Sequence, residues 1–302
     1  MSKSKSSKKA ASDPRGGPGG VLWNEALGCV PGAATGVRRV TRLGGNANAN
    51  WRVETADGNF VVRLHGEWTH AAGVNRQREV LLHETAAQAG LAPSLIAADP
   101  AGRFLVTPFV AGTVWQSADL GNPLRLIALS RRLARLHELP PPETTPWSLA
   151  DLLAEHVQAL ADAGREVETL LPLLEQARTI LTRCATAGRP PCIVHNDLNP
   201  ANLIGPEPLL LDWEYAAVAD PLSDLATLLA YHPRVARHLP LLLSYTDRPA
   251  EEEADLRDLV WVYTLVSWLW YQRYELAQPL AAEQSAAMDT LRRRLGPRHA
   301  LE

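Results

Sequence analysis

The chain has 302 residues, 46% of them apolar and 21% charged, and its 30 Lys+Arg against 33 Asp+Glu leave a net charge of −3. This is ordinary globular composition, long enough for about two domains or lobes. The near-balanced charge argues against a dedicated nucleic-acid binder, and three cysteines (Cys29, Cys184, Cys192) exclude a disulfide scaffold and fit a reducing compartment. Nine Trp stand beside only three Phe and six Tyr, an inversion of the usual aromatic order.

Residues 1–20 begin with Lys3, Lys5, Lys8 and Lys9 among serines and continue through a Pro/Gly stretch. No apolar segment follows them, so they are not a secretory signal and read as a disordered tail. Val37–Leu43 and Trp51–Thr55 have strand character, joined by Gly44, Gly45 and an Asn/Ala loop. Asp57-Gly58 is a second turn signal, leading into a third strand, Asn59–Leu64. Asn75–Gln88 is helical and ends at Gly90; Arg103–Val110 is another strand, closed by Gly112. Residues 21–112 are therefore expected to form a small, mostly antiparallel sheet with one helix.

From residue 121 the apolar spacing becomes helical: Leu124–Leu139, stopped by three prolines, then Leu149–Leu160 and Val167–Thr182. Pro191–Asn202 reads as a loop and Leu209–Trp213 as a short strand, after which helices resume from Pro221. The run Leu259–Trp270 is shorter than the about 20 residues a membrane span requires. The expectation is an α+β chain with a β-rich lobe at 21–112 and a helical lobe at 113–302, cytoplasmic, with no membrane or nucleic-acid partner.

The chemistry lies in Ile193-Val194-His195-Asn196-Asp197-Leu198-Asn199-Pro200-Ala201-Asn202-Leu203. This matches the phosphotransfer catalytic-loop pattern H-x-D-L-x-x-x-N. Asp212 follows at the end of an apolar run. Phosphoryl transfer needs one carboxylate to orient and deprotonate the attacking hydroxyl, and an amide oxygen with a second carboxylate to hold Mg²⁺ against the nucleotide phosphates. Asp197 suits the first task, Asn202 and Asp212 the second. Singly, each has an ordinary reading, as a structural histidine, a turn or a strand-end cap; the spacing makes them a set. A zinc site from Cys192, His195 and Asp197 lacks the remaining ligands.

The segment resembles the signature loop of aminoglycoside phosphotransferases and choline kinases, relatives of the protein kinases, over roughly residues 37–275. The resemblance implies a bilobal protein-kinase-like fold that uses ATP and Mg²⁺. Leu43-Gly44-Gly45 with Asn48 and Trp51 is similar to the family's glycine-rich start over the nucleotide phosphates. Arg63, in Phe60–Leu64, stands where protein kinases carry a phosphate-binding Lys. Glu79 resembles the helix carboxylate that partners this cation, with Glu84 as its rival. Phe109–Gly112 is similar to the hinge that meets adenine, and Leu133–His137 to the family's L-x-x-L-H helix, its histidine structural. Asp220–Ala226 resembles the segment whose second carboxylate, here Asp224, braces the catalytic loop beside His195.

From His195 to Tyr231 the chain has six acidic residues and no Lys or Arg, a balance that favours a cationic acceptor. Asp212-Trp213-Glu214-Tyr215 is similar to choline, ethanolamine and thiamine kinases, making Glu214 a candidate for the substrate cation or the metal surroundings. Trp261, Trp268 and Trp270 share one late segment with Tyr263, Tyr271 and Tyr274. Trp268, Trp270, Tyr271 and Tyr274 are candidate walls for a cation, with burial in the core the competing reading. The resemblance implies a kinase of a small cationic alcohol, of the choline/ethanolamine type. Thiamine kinase and then aminoglycoside phosphotransferase are the alternatives within the family, and a catalytically silent nucleotide-binding module is the alternative outside it.

Overall fold

The structure is a computed structural model, and it describes residues 18–44, 48–66, 74–245 and 252–296. Gly45 and most of the Lys/Ser-rich tail lie outside these residues. The chain divides into two compact units, Met1–His70 with Pro93–Ala111, and Ala71–Ala92 with Gly112–Glu302.

The first unit is a five-stranded antiparallel sheet of β1 (Val37–Arg42), β2 (Ala49–Thr55), β3 (Asn59–Leu64), β4 (Ala97–Ala98) and β5 (Phe104–Pro108) in the order β1-β2-β3-β5-β4. The Asp57-Gly58 turn joins β2 to β3, with Gly58 at φ 141°, a region closed to most side chains, and Thr55 N–H donating to Gly58 C=O at 2.9 Å. One face of the sheet buries Val53, Phe60, Val62, Phe104 and Val106. A helix α1 (Val21–Gly28) brings Trp23, Ala26 and Leu27 to the same cluster. This helix was not foreseen: it has eight residues and an uncapped Gly20 start at φ 91°, and packing rather than a cap or a long periodic pattern carries it.

The second unit opens with α2 (Arg76–Gln88), capped by Asn75 Oδ1, which accepts from Arg78 N–H at 2.9 Å. The order of predicted elements places this helix with the strands of residues 21–112. In the structure its Leu82 and Ala86 belong to the large core of the helical unit. There follow α3 (Pro123–His137), α4 (Leu149–Asp162) and α5 (Leu171–Thr186), with Asn122 and Ser148 capping the first two. Short strands come next: β6 (Cys192–Val194), β7 (Leu203–Ile204), β8 (Leu209–Leu210) and β9 (Ala217–Ala219). β6 pairs antiparallel with β9, and β7 with β8. The expected Leu209–Trp213 strand stops at Leu210.

The chain closes with α6 (Leu222–Tyr231), α7 (Leu239–Tyr245), α8 (Glu253–Ala277) and α9 (Ala282–Arg294). α8 packs against α4, α5, α6 and α9, which is why it is apolar on more than one face. Among the described residues no helix is long and apolar enough to cross a membrane.

Candidate active site

The loop between β6 and β7 is held by its own polar groups. Asn196 takes φ 62° and Asp212 φ 64°, the two non-glycine residues at positive φ among the described residues. Asn and Asp tolerate that conformation best, and held backbone strain clusters at functional sites. Asp224 on α6, fully buried, accepts two main-chain N–H bonds at one oxygen, from His195 at 2.9 Å and Asn196 at 2.8 Å. Its other oxygen lies 3.0 Å from His137 Nε2. One carboxylate thus fixes the bend just before Asp197.

His195 is buried and meets its neighbours through both ring nitrogens. Asp197 N–H donates to Nδ1 at 3.3 Å, which leaves Nε2 as the protonated nitrogen facing Leu211 C=O at 2.8 Å. Trp213 packs edge-on against the imidazole, with ring centroids 4.8 Å apart. Asn196 is pinned by Tyr263 O–H, which donates to its Oδ1 at 2.9 Å, and donates in turn to Tyr215 C=O at 3.1 Å.

The three catalytic candidates are brought together. Asn202 Nδ2 donates to Asp197 Oδ2 at 2.8 Å and to Asp197 C=O at 3.0 Å. Leu211 N–H donates to Asn202 C=O at 2.8 Å, which carries Asp212 to the residue just beyond that tie. With its amide nitrogen turned to Asp197, Asn202 presents its amide oxygen on the opposite branch. An amide oxygen and a carboxylate are hard ligands of the kind Mg²⁺ takes alongside substrate phosphates, so the donor set fits that ion.

Arg63 and the loop candidates sit in the first unit. Arg63 lies opposite Asn50 across β2–β3, and its Nε donates to Asn50 Oδ1 at 3.2 Å. Asn50 Nδ2 donates to Gly44 C=O at 3.1 Å. Asn48 is buried and its Oδ1 accepts from Gly66 N–H at 3.4 Å. Asn50 was absent from the sequence candidates although it links Gly44 to Arg63; only its cross-strand position marks it.

Glu79 and Glu214, in the second unit, are both bonded to Arg76. Arg76 Nη1 lies 2.6 Å from Glu79 Oε2 and 3.2 Å from Glu214 Oε2, and all three side chains are buried. Glu84 is exposed on the same helix. Arg78 Nε donates to Ala216 C=O at 3.0 Å, a second tie from α2 to the segment after Asp212.

On α8 the aromatic candidates separate by face. Trp270 Nε1 donates to Tyr215 O–H at 2.8 Å; its ring stacks on Tyr274 at 5.0 Å and meets Tyr271 edge-on at 5.1 Å. Trp268 points into the core with Trp261, and Arg292 sits 6.0 Å over its ring. Burial pushes the Tyr215 hydroxyl well up, and the charges of Glu214 and Asp197 add to that rise. Burial followed by the Asp197 charge does the same at Tyr271. Both phenols therefore stay neutral at ordinary pH.

Among solved structures the chain is similar to a choline/ethanolamine kinase family protein from Mesorhizobium loti, at 22% identity over 91% of this chain and 94% of that one, with a TM-score of 0.73. It is similar to the choline kinase LicA from Streptococcus pneumoniae, at 19% identity over 87% and 95%, TM-score 0.74, a protein also solved in complex with AMP. A third likeness is to the GDP and kanamycin complex of APH(2")-IIia, at 16% identity over 90% and 98%, TM-score 0.64. No curated protein matches the chain. These likenesses establish the α+β, protein-kinase-like fold. Residues 39–258 match the phosphotransferase enzyme family across most of the chain, and the chain belongs to that family.

Proposed function

We propose that the protein transfers the γ-phosphoryl group of ATP, with Mg²⁺, to the hydroxyl of a small cationic alcohol of the choline or ethanolamine type. The observation that carries this reading is the setting of Asp197. Its carboxylate accepts from Asn202 Nδ2 at 2.8 Å, and its charge helps keep the Tyr215 and Tyr271 hydroxyls protonated. Tyr215 is joined to Trp270 and so to the stacked Tyr274. Neutral aromatic rings beside a carboxylate suit an acceptor that carries positive charge, at about 0.5–2 kcal/mol per ring contact.

In this reading Asp197 orients the acceptor hydroxyl and takes its proton as the new P–O bond forms. Asn202 and Asp212 would hold the magnesium ion, which neutralises phosphate charge when bound. Arg63, steadied by Asn50, would bind nucleotide phosphate with Gly44, Gly45 and Asn48 nearby in the chain. Glu79 and Glu214 would act through Arg76, shaping α2 and the segment after Asp212. Asp224 and His195 would hold the loop. The chain then contributes chiefly positioning and charge complementarity.

The likeness to choline kinases supports the acceptor class, and that to the kanamycin complex keeps a larger polyamine acceptor within the test. ADP release is measured with Mg-ATP and, separately, choline, ethanolamine, thiamine and kanamycin. Stimulation by choline or ethanolamine supports the proposal; stimulation by thiamine or kanamycin alone reassigns the acceptor. No stimulation by any of the four favours a nucleotide-binding module.

A further inference from the structure

Trp115 stands apart from the aromatic cluster on α8, yet it is tied to the hairpin that carries both magnesium candidates. That hairpin is short: Leu203 pairs with Leu210 and Ile204 with Leu209, with Asn202 just before it and Asp212 two residues after it. Two strands of this length are marginal alone, and a slip of one residue would turn every side chain to the other face. Its register therefore needs support from outside.

The support converges on Gly205, the residue that follows β7 and takes φ 93°. Its carbonyl accepts from Trp115 Nε1 at 2.7 Å and from Arg125 Nη1 at 3.1 Å, which fills both lone pairs. Its N–H donates to Thr113 C=O at 3.0 Å, and Trp115 N–H donates to Leu203 C=O at 2.9 Å. The indole of Trp115 is 1% exposed, and Arg125 lies 5.4 Å over its ring. Residues 113–115 thus lie as a third antiparallel segment beside β7, bridged at Val114 and Ile204. On the other edge Leu210 N–H donates to Leu91 C=O at 2.8 Å.

We infer that Trp115, with Arg125, is a positioning residue for the metal-binding pair: the indole N–H pins the Gly205 carbonyl, which sets the hairpin register and with it the spacing of Asn202 and Asp212. The inference rests on the assignment of those two residues as magnesium ligands. Trp115 touches no reacting atom. Its effect passes through three backbone residues to Asn202, and across the β7–β8 ladder to Asp212.

The test uses the purified full chain with a non-hydrolysable ATP analogue and Mn²⁺ as the metal probe, read by electron paramagnetic resonance. Wild type and Asp212→Asn define the specific signal. Trp115→Phe keeps a ring under Arg125 but removes the donor. It should weaken Mn²⁺ binding by about tenfold, the lower end of the effect seen for outer-shell partners of metal ligands. Its melting temperature should fall by less than about 4 °C, the shift expected for one hydrogen bond.

Arg125→Met, which keeps an unbranched side chain but has no donor for the same carbonyl, should weaken Mn²⁺ in the same direction. Because both donors serve one atom, the double variant should lose less than the product of the two single effects. Unchanged Mn²⁺ affinity in both single variants overturns the inference, as does a multiplicative double variant. A wild-type chain without an Asp212-dependent Mn²⁺ signal overturns the magnesium assignment itself, and this inference with it.

Discussion

Arg76 and Glu214 lie 138 residues apart in sequence, yet Arg76 Nη1 sits 3.2 Å from Glu214 Oε2, with both side chains under 10% exposed. The same nitrogen lies 2.6 Å from Glu79 Oε2. One guanidinium thereby joins α2 to the segment that follows Asp212. Removing one partner from such a buried cluster costs far more than the cluster contributes net, because the remaining charges stay desolvated. Arg76→Ala should therefore destabilise the chain by about 3–5 kcal/mol, measured by urea denaturation. A loss below about 1 kcal/mol would show that the cluster is solvated in solution.

Asp197→Asn keeps the side-chain volume and can still accept from Asn202, but it removes the carboxylate proposed to take the proton. Turnover should fall by about 10²–10⁴-fold, while the affinity for Mg-ATP, measured by calorimetry, stays within a factor of about three of wild type. Wild-type turnover in this variant would end the assignment of Asp197 as the base.

Asp224→Ala leaves the main-chain N–H groups of His195 and Asn196 buried with no acceptor from α6. At about 1–3 kcal/mol for each orphaned donor, the loss should be about 2–6 kcal/mol. Asp224→Asn, which keeps one acceptor oxygen, should cost less. Equal melting curves for the two variants would contradict the claim that acceptance by this oxygen holds the bend.

His156 on α4 is fully buried, and burial, with help from the Arg273 charge, pushes its pKa down to about 3. In the unfolded chain it titrates near 6.5. Between about pH 6.5 and 3 the unfolded state binds the extra proton, so this contribution is present above 6.5 and is lost as pH falls, at up to about 1.4 kcal/mol per pH unit. His156→Gln should flatten the fall in melting temperature over that window. A variant as acid-sensitive as wild type would place the sensitivity elsewhere.

Trp270 donates to Tyr215 and stacks on Tyr274, so a cation bound beside Asp197 changes the surroundings of its indole. Saturating choline should shift the intrinsic emission, and Trp270→Phe should remove most of the change. An emission spectrum unmoved by an accepted substrate would return Trp270 to a purely packing role.

The segment from His195 to Asn202, with Asp212, was legible as a set because the pattern depends on local spacing: a bend, a carboxylate, an amide and a second carboxylate within one loop and one short hairpin. The third strand was legible residue for residue, since alternation, the Asp-Gly turn and β-branched residues agreed. Helix α1 was not, because eight residues give too little periodicity and its stability comes from a sheet built of later strands. Trp268 and Trp270 looked equivalent from composition. α8 meets neighbours on several sides, and only their arrangement puts Trp268 in the core and Trp270 against Tyr215. In the same way no local pattern singles out Arg76, Asn50 or Trp115. Each acts through a partner distant in sequence or across a strand pair, and such pairings follow from chain topology, which local pattern does not contain. The amino-acid order by itself determined the phosphotransferase class and marked out one polar loop; tertiary packing decided which carboxylates are bound to arginine, which aromatics gather around Trp270, and which residues tie the β7–β8 hairpin to its neighbours.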